Sequence, residues 1–320
     1  MAPPPSSNTN FAEGTKVEQL TSHTYSAYFP DMISNQCISV AHGGFITSVF
    51  LNVSTTHFRT TLSAQNQPHP IALHLEFLRR TQTGPALFTV QDTKLGRQSS
   101  ILHITLTQDS RSEVVGYITH SNTTTETGPS TPYHYKPHPP PLPASLPLLR
   151  ENRDTNYAVR QMPFASFRKA STKAVLAFPR HGQPSPTISD EWIKLSTGER
   201  WTDVGLGYVC DMYPLPSEFQ ETTTASDKET VIPTAKYWFP TLLLNIDFKK
   251  SLPEEGVEWL FVRVERKQVK NGRMDIELVV WDEGGDLVAV SNHVAYVVGA
   301  ERNLKERDAA NRSKAGASKI

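Results

Sequence analysis

The chain has 320 residues, enough for two ordinary domains with cores of their own. Its 32 lysines and arginines balance 32 aspartates and glutamates, so no net field favours a nucleic-acid partner. No apolar run approaches the roughly 18–20 residues of a membrane span, and the opening MAPPPSSNTN lacks the basic and apolar regions of a secretory signal. Cys37 and Cys210 sit far apart in apolar surroundings and read as buried reduced thiols of an intracellular protein. Neither the cysteines nor the scattered histidines form a metal-ligand pattern, so no metal is expected.

In chain order, the first helix is predicted in HGGFITSVFLNVSTTHF (42–58). There Phe45, Ile46, Val49, Phe50 and Val53 follow helical spacing after a Gly-Gly entry, a pair suited to close packing of helix on sheet. Alternating strands follow in LHLEFLRR (73–80), in VQDTKLGRQSSILHITLTQD (90–109) with a turn at Gly96-Arg97, and in EVVGYITHS (113–121). Residues 122–150 are rich in Thr and Pro, carry no period and read as an extended linker.

The second half repeats the pattern. A helix is predicted in RWTDVGLGYVCDM (200–212), with Thr202 or Asp203 as N-cap and Val204, Leu206, Tyr208 and Val209 behind it. After a polar loop (218–230) come LNIDFKKS (244–251), VRVERKQVKNGRMDIELVVWD (262–282) with an Asn271-Gly272 hairpin signal, and DLVAVSNHVAYVV (286–298). One helix followed by antiparallel strands, twice over, is an α+β chain built from a duplicated unit. One residue in this pattern is out of character. Asp211 ends an apolar segment, and a charge taken from water costs several kcal/mol unless it is paired or hydrogen-bonded. Either it reaches solvent at the helix end or the protein keeps it for a purpose.

Taken in order, AHGGF, HPIALHLEFLRR, the Gly-Arg turns, GYVCDM, FPTLLLNIDF and WDEGGDLVAVSNH resemble the double-hotdog acyl-CoA thioesterases. The likeness is to the acyl-CoA thioesterase II type and to the thioesterase-like proteins common in fungi, and it runs from about residue 20 to 298. The resemblance implies an α+β tandem hotdog, two antiparallel sheets each wrapped around one long helix. It places an N-terminal hotdog in 1–121 with residues 1–19 disordered, a linker in 122–150, a C-terminal hotdog carrying the active site in 151–300, and a polar tail in 301–320. It also implies an enzyme, a thioester hydrolase that needs no cofactor because coenzyme A arrives as part of the acyl-CoA substrate. Association into homo-oligomers follows from family habit alone.

The family's catalytic set is a carboxylate, a hydroxyl and an amide. Residue by residue it falls on Asp211, which follows Cys210 where the family has Ser or Ala, on Thr241 of FPTLLL, and on His293, which stands where the family has Gln. A carboxylate beside groups that fix a water can act as a general base without a covalent intermediate, and that would explain Asp211. Imidazole offers a donor and an acceptor, so His293 either replaces the amide and shares the base's work or marks a repurposed site. Backbone N–H groups at Gly43-Gly44 could meet the thioester oxygen, and His42 could approach it or serve as a strand-end histidine. Arg79, Arg80, Lys249 and Lys250 read as solvated strand ends, or as partners for the phosphates of coenzyme A.

Three functions remain open at this point: acyl-CoA hydrolysis; the same fold acting on a specialised biosynthetic thioester by acyl release or hydratase-like chemistry; and acyl-CoA binding without turnover. The double-hotdog hydratases carry a close Asp and His after an NP-type turn, and this chain has no such segment. The terminal Ser318-Lys319-Ile320 is one conservative step from the Ser-Lys-Leu address, which implies a peroxisomal import receptor as partner, with the cytoplasm as the other location.

Overall fold

A computed structural model describes residues 10–30, 40–160, 169–213 and 237–299. Cys37, the loop 218–230 and Ser318-Lys319-Ile320 lie outside the described residues. The first half contains a one-turn helix α1 (Phe11–Gly14), a short strand β1 (Glu18–Gln19) and β2 (Thr24–Phe29). The seventeen-residue helix α2 (Gly43–Arg59) follows, then β3 (His69–Phe77), β4 (Gly84–Lys94), β5 (Ser100–Gln108) and β6 (Arg111–Ser121). Along β5 the burial alternates strictly, with Leu102, Ile104 and Leu106 turned inward, as a sheet with one face on the core requires.

The second half opens with α3 (Leu146–Arg150), β7 (Tyr157–Arg160), β8 (Ala174–Pro179) and β9 (Ile188–Leu195). A three-residue 3-10 turn, Asp203–Gly205, runs into the four-residue helix α4 (Leu206–Val209). Strands β10 (Tyr237–Trp238), β11 (Thr241–Phe248), β12 (Leu260–Glu265), β13 (Val269–Lys270), β14 (Arg273–Trp281), β15 (Leu287–Tyr296) and β16 (Val298–Gly299) complete it. Asn271 and Gly272 both have positive φ, 52° and 73°, as a tight Asn-Gly hairpin turn demands.

The duplication is explicit in the sheet. The order β2-β4-β5-β6-β3 in the first half is matched by β9-β12-β14-β15-β11 in the second. Strands β3 and β11 pair antiparallel, Leu75 opposite Leu244 and Leu73 opposite Ile246, so the sheets of the two units of this tandem hotdog join edge to edge into one sheet of fourteen strands among the described residues.

Helix α2 is enclosed on nearly every side, which explains why Thr47, Ser48 and Ser54 are buried beside its apolar stripe. The second helix is far shorter than the sequence predicts. Trp201 is tied into a bridge with Val257 at its start, and Pro214 follows its end, where a helix cannot easily continue. Thr202 occupies the N-cap position without a side-chain bond, while Asp203 Oδ1 accepts the Leu252 N–H.

The Gly-Gly pair packs mainly helix on helix, with Phe77 of β3 the sheet residue beside Gly43. A Cβ on Gly44 would lie 2.7 Å from Asp211 Cβ and 2.9 Å from the Gly207 carbonyl oxygen, and one on Gly207 would lie 2.6 Å from Ser48 N. Glycines on both helices thus allow α2 and α4 to touch backbone to backbone. The resulting core is continuous across the halves, from Phe45 and Val49 to Leu206, Val209 and Leu244.

Two segments expected to be loose are ordered. Residues 10–19, assigned to a disordered N-terminus, form α1 and β1: the Phe11 and Ala12 amides donate to Glu199 at 2.7 and 2.8 Å, and the Phe11 ring meets those of Phe45, Trp201 and Tyr208. The proline-rich linker lies against the outer face of the second unit. Tyr135 stacks on Trp281, Tyr157 Oη donates to the Leu142 carbonyl, and Arg263 Nη1 donates to the Pro139 carbonyl. It covers the buried Arg263–Asp190 ion pair, whose two hydrogen bonds are both 2.7 Å long.

Overpacking of this kind typically costs about 1–3 kcal/mol. Gly207→Ala is therefore expected to lower the free energy of unfolding by that amount, read as a lower urea midpoint at unchanged m. Gly128→Ala, where a Cβ meets nothing within 4 Å, is expected to leave it unchanged. Equal midpoints for the two variants would contradict the helix contact.

Candidate active site

The turn that closes α4 aims Asp211 at the start of α2. Its own N–H reaches the Tyr208 carbonyl at 3.2 Å, which holds the residue just past Cys210, the C-cap. Asp211 Oδ2 accepts the Gly44 N–H at 2.6 Å and lies 3.6 Å from His42 Nδ1. His42 is the N-cap of α2, and its Nδ1 accepts the same Gly44 N–H at 3.2 Å. The other oxygen, Oδ1, is 3.4 Å from Thr241 Oγ1 and 3.6 Å from His293 Nδ1. The Asp211 side chain is only 8% exposed. Its charge is met by a backbone N–H and by the positive end of a long helix.

All six residues singled out in the sequence converge here. Gly43 joins them through space: a Cβ on it would lie 2.8 Å from Asp211 Oδ2. Thr241 opens β11 beside an irregularity in its pairing with β15, a device that re-aims a side chain next to a site. His293 points inward from β15 and is fully buried.

The hydrogen bonds around His293 assign its tautomer. Ser291 Oγ donates to the Asn245 carbonyl at 2.7 Å, so at 3.2 Å it accepts the His293 Nε2–H. In that tautomer Nδ1 is an acceptor facing Asp211 Oδ1, with no hydrogen bond of good geometry among the described residues, and the Cys210 backbone lies beside the ring as a further polar neighbour. Two acceptors held face to face can share only a donor placed between them. Ser291 escaped the sequence reading, although it lies two residues before His293 and therefore on the same strand face. Tyr208 and Tyr213 were missed as site walls. The Tyr208 ring is 5.5 Å from that of His42, and the Tyr213 ring is edge-on to that of His293 at 6.0 Å.

Burial sets the protonation states. It lowers the pKa of His42 and of His293, with the Asp211 charge opposing in each case. It pushes the Cys210 thiol up to about 12, so Cys210 is no thiolate nucleophile at neutral pH. Burial, then the Asp211 charge, raises Tyr208 and Tyr213, which stay protonated.

The basic strand ends have local partners. Arg80 stacks over Trp238, Arg79 donates to the Ser112 carbonyl, Lys249 pairs with Asp247, and Lys250 binds Asp282 and Asp286. The expectation that the histidines do not cluster is overturned at the far end of α2, where His23 and His57 meet Asp92. They are dispersed in sequence and converge only because β2, α2 and β4 do.

Two family models cover most of the chain: the acyl-CoA thioesterase N-terminal domain over residues 33–121 and the acyl-CoA thioesterase C-terminal domain over residues 139–297. The chain belongs to the double-hotdog acyl-CoA thioesterase family, and so to the thioester hydrolases. Among its relatives, the thioesterase-like protein TwmA of Talaromyces wortmannii is 34% identical over 344 residues, covering 95% of this chain and 96% of its own. Among solved structures, a hot dog fold protein of Alicyclobacillus acidocaldarius matches with a TM-score of 0.66 at 15% identity, over 90% of this chain and 97% of its own. An acyl-CoA thioesterase II of Mycobacterium marinum matches with a TM-score of 0.58 at 18% identity, over 90% and 97%. These structures share the fold. Among the described residues, no helix of this thioesterase is long and apolar enough to cross a membrane.

The buried histidines fix the direction of the pH response. The unfolded chain binds protons at His42 and His293 near the ordinary value of about 6.5, whereas the folded protein keeps both neutral to lower pH. Stability is then complete above about pH 6.5 and falls below it, by up to about 1.4 kcal/mol per pH unit for each such histidine. His120, pushed down to about 3 by burial, adds to the trend. Urea unfolding is expected to show stability decreasing from pH 7 to pH 5, with a shallower slope in His293→Gln. An unchanged slope in that variant would contradict the burial of a neutral His293.

Proposed function

We propose that this protein is an acyl-CoA thioesterase that releases a free acid and coenzyme A by means of a water activated by Asp211. The observation that carries the reading is the division of labour within one carboxylate. Oδ2 is tied to the start of α2, while Oδ1 faces the hydroxyl of Thr241 and the acceptor nitrogen of His293. A water lodged among Oδ1, Thr241 Oγ1 and His293 Nδ1 would have its lone pairs oriented by the acceptors that hold its protons.

In this reading the water oxygen attacks the thioester carbonyl as Asp211 takes a proton from it. Charge develops on the carbonyl oxygen, and the Gly43 N–H at the positive start of α2, where the Gly44 N–H already binds Asp211 Oδ2, is the donor assigned to it. Collapse breaks the carbon–sulfur bond, and the departing thiolate recovers the proton from Asp211. One water is consumed, and one acid and one thiol are formed. Cys210 stays a bystander because its proton is held too tightly. His293 takes over the water-holding task of the family's glutamine, with the Ser291 hydroxyl fixing its tautomer.

A second reading keeps this chemistry and changes the substrate. His293, standing where the family has glutamine, alters the wall nearest the water, and that favours a specialised acyl thioester over a common fatty acyl-CoA.

The test is thiol release from short, medium and long acyl-CoA thioesters by the wild type, Asp211→Asn and His293→Gln. Turnover by the wild type is expected, with kcat lowered about 10²–10⁴-fold in Asp211→Asn, the usual contribution of a general base. Undiminished turnover in that variant would remove Asp211 from the chemistry. Absence of wild-type turnover on every chain length would favour the specialised substrate. A rate loss in His293→Gln is expected, and a large gain would instead mark the histidine as drift.

A further inference from the structure

Helix α2 has a second polar cluster at its other end. His57 lies in its last turn, fifteen residues beyond His42 in the numbering, or about 22 Å along the axis at about 1.5 Å per residue. Its Nε2 is 2.9 Å from Asp92 Oδ1, and His23 Nε2 is 3.2 Å from Asp92 Oδ2. The ligand-capable atoms of the three residues all lie within 4.8 Å of one another. The two imidazoles arrive from different elements, His23 from the turn before β2 and His57 from α2, while Asp92 comes from β4.

Three features distinguish the cluster from an ordinary buried hydrogen-bond pair. First, both histidines turn the same nitrogen, Nε2, to one carboxylate, and both have the remote Nδ1 held by a hydroxyl. His57 Nδ1 is 2.9 Å from Tyr25 Oη, and His23 Nδ1 is 2.9 Å from Ser22 Oγ. That outer support fixes ring orientation as it does around ligating histidines. Second, His57 is fully buried, whereas His23 is 42% exposed, so one ligand is fixed, another can adjust and the open side faces solvent. Third, the cluster sits at the C-terminal end of a seventeen-residue helix, where the macrodipole favours positive charge.

We propose that His23, His57 and Asp92 form a binding site for a divalent transition-metal ion of the zinc class, its remaining positions open to water. Ligands about 2.0–2.1 Å from a tetrahedral zinc lie about 3.3 Å from each other. The 2.9 and 3.2 Å separations, each to a different oxygen of Asp92, lie within a few tenths of an ångström of that value, and with all ligand atoms inside 4.8 Å a rotation of the exposed His23 side chain completes the triangle. Two imidazoles with one carboxylate suit zinc, cobalt or nickel, and not magnesium or calcium, which take oxygen ligands. The ion would staple the turn before β2 to the end of α2 and to β4, remote from Asp211. Its effect is on stability and not on the hydrolytic step.

The test is isothermal titration of the tag-free full-length protein with Zn²⁺ near neutral pH, together with the visible absorption of added Co²⁺. His23→Ala and Asp92→Asn are the comparison variants, because His23 is exposed enough to be removed without opening the core. The expected result is one metal per chain in the wild type, Co²⁺ bands of a nitrogen–oxygen site, and a thermal midpoint raised by Zn²⁺. Each variant is expected to bind more than about 100-fold more weakly, beyond the range of outer-shell changes, and His23→Ala is expected to retain thiol release. Failure of the wild type to bind, or equal affinity in all three proteins, would overturn the assignment, because a metal that survives both changes is bound elsewhere.

Discussion

The bond between Asp211 and the first turn of α2 is the constraint on which the rest depends. It joins a carboxylate from one half of the chain to a helix from the other, at 2.6 Å and largely away from water. A charge in that position would cost several kcal/mol if left alone. The Gly44 N–H and the aligned peptides of α2 offset the cost, and they do so only if the two helices approach to backbone contact. Hence glycine at 43, 44 and 207: a side chain at any of them would collide with Asp211 or with the facing helix. Packing, electrostatics and the proposed chemistry are satisfied by one contact.

Duplication supplied the frame, and asymmetry made it useful. Both units keep the same strand order and meet edge to edge at β3 and β11. Helix α2 keeps its full length and therefore its dipole, whereas α4 is four residues long and functions as a bracket for Asp211. The second unit then contributes Thr241 and His293 from adjacent strands, so the candidate site draws on both halves of the chain. The shortened helix also needs outside help to complete its surroundings, and Trp201 and Phe11 pack against its Tyr208.

Much of this was legible in the sequence, because periodicity and turn chemistry are local. The alternation of residues 100–108, the Asn271-Gly272 turn and the apolar spacing of α2 each announce their element. The Asp211, Thr241 and His293 set was legible for a different reason: the ordered motifs resemble a family whose site uses those positions. What escaped depends on contacts between distant segments. The length of α4 is limited by the Trp201–Val257 bridge, a pairing across 56 residues that no local pattern encodes. The linker reads as solvated because prolines cannot join a central strand, yet it covers the outer face of β12, whose residues Leu260–Val264 are all buried. The His23, His57 and Asp92 cluster is invisible in sequence for the same reason.

The central claim, that Asp211 activates water and forms no bond to the acyl group, is tested most directly by a single turnover in H₂¹⁸O with enzyme in excess over acyl-CoA. The released acid and the peptide containing Asp211 are then both weighed by mass spectrometry. Water activation predicts one ¹⁸O in the acid and none in Asp211. Label in the Asp211 carboxylate, or an acyl group trapped on it, would show attack by the carboxylate itself and contradict the role assigned to it.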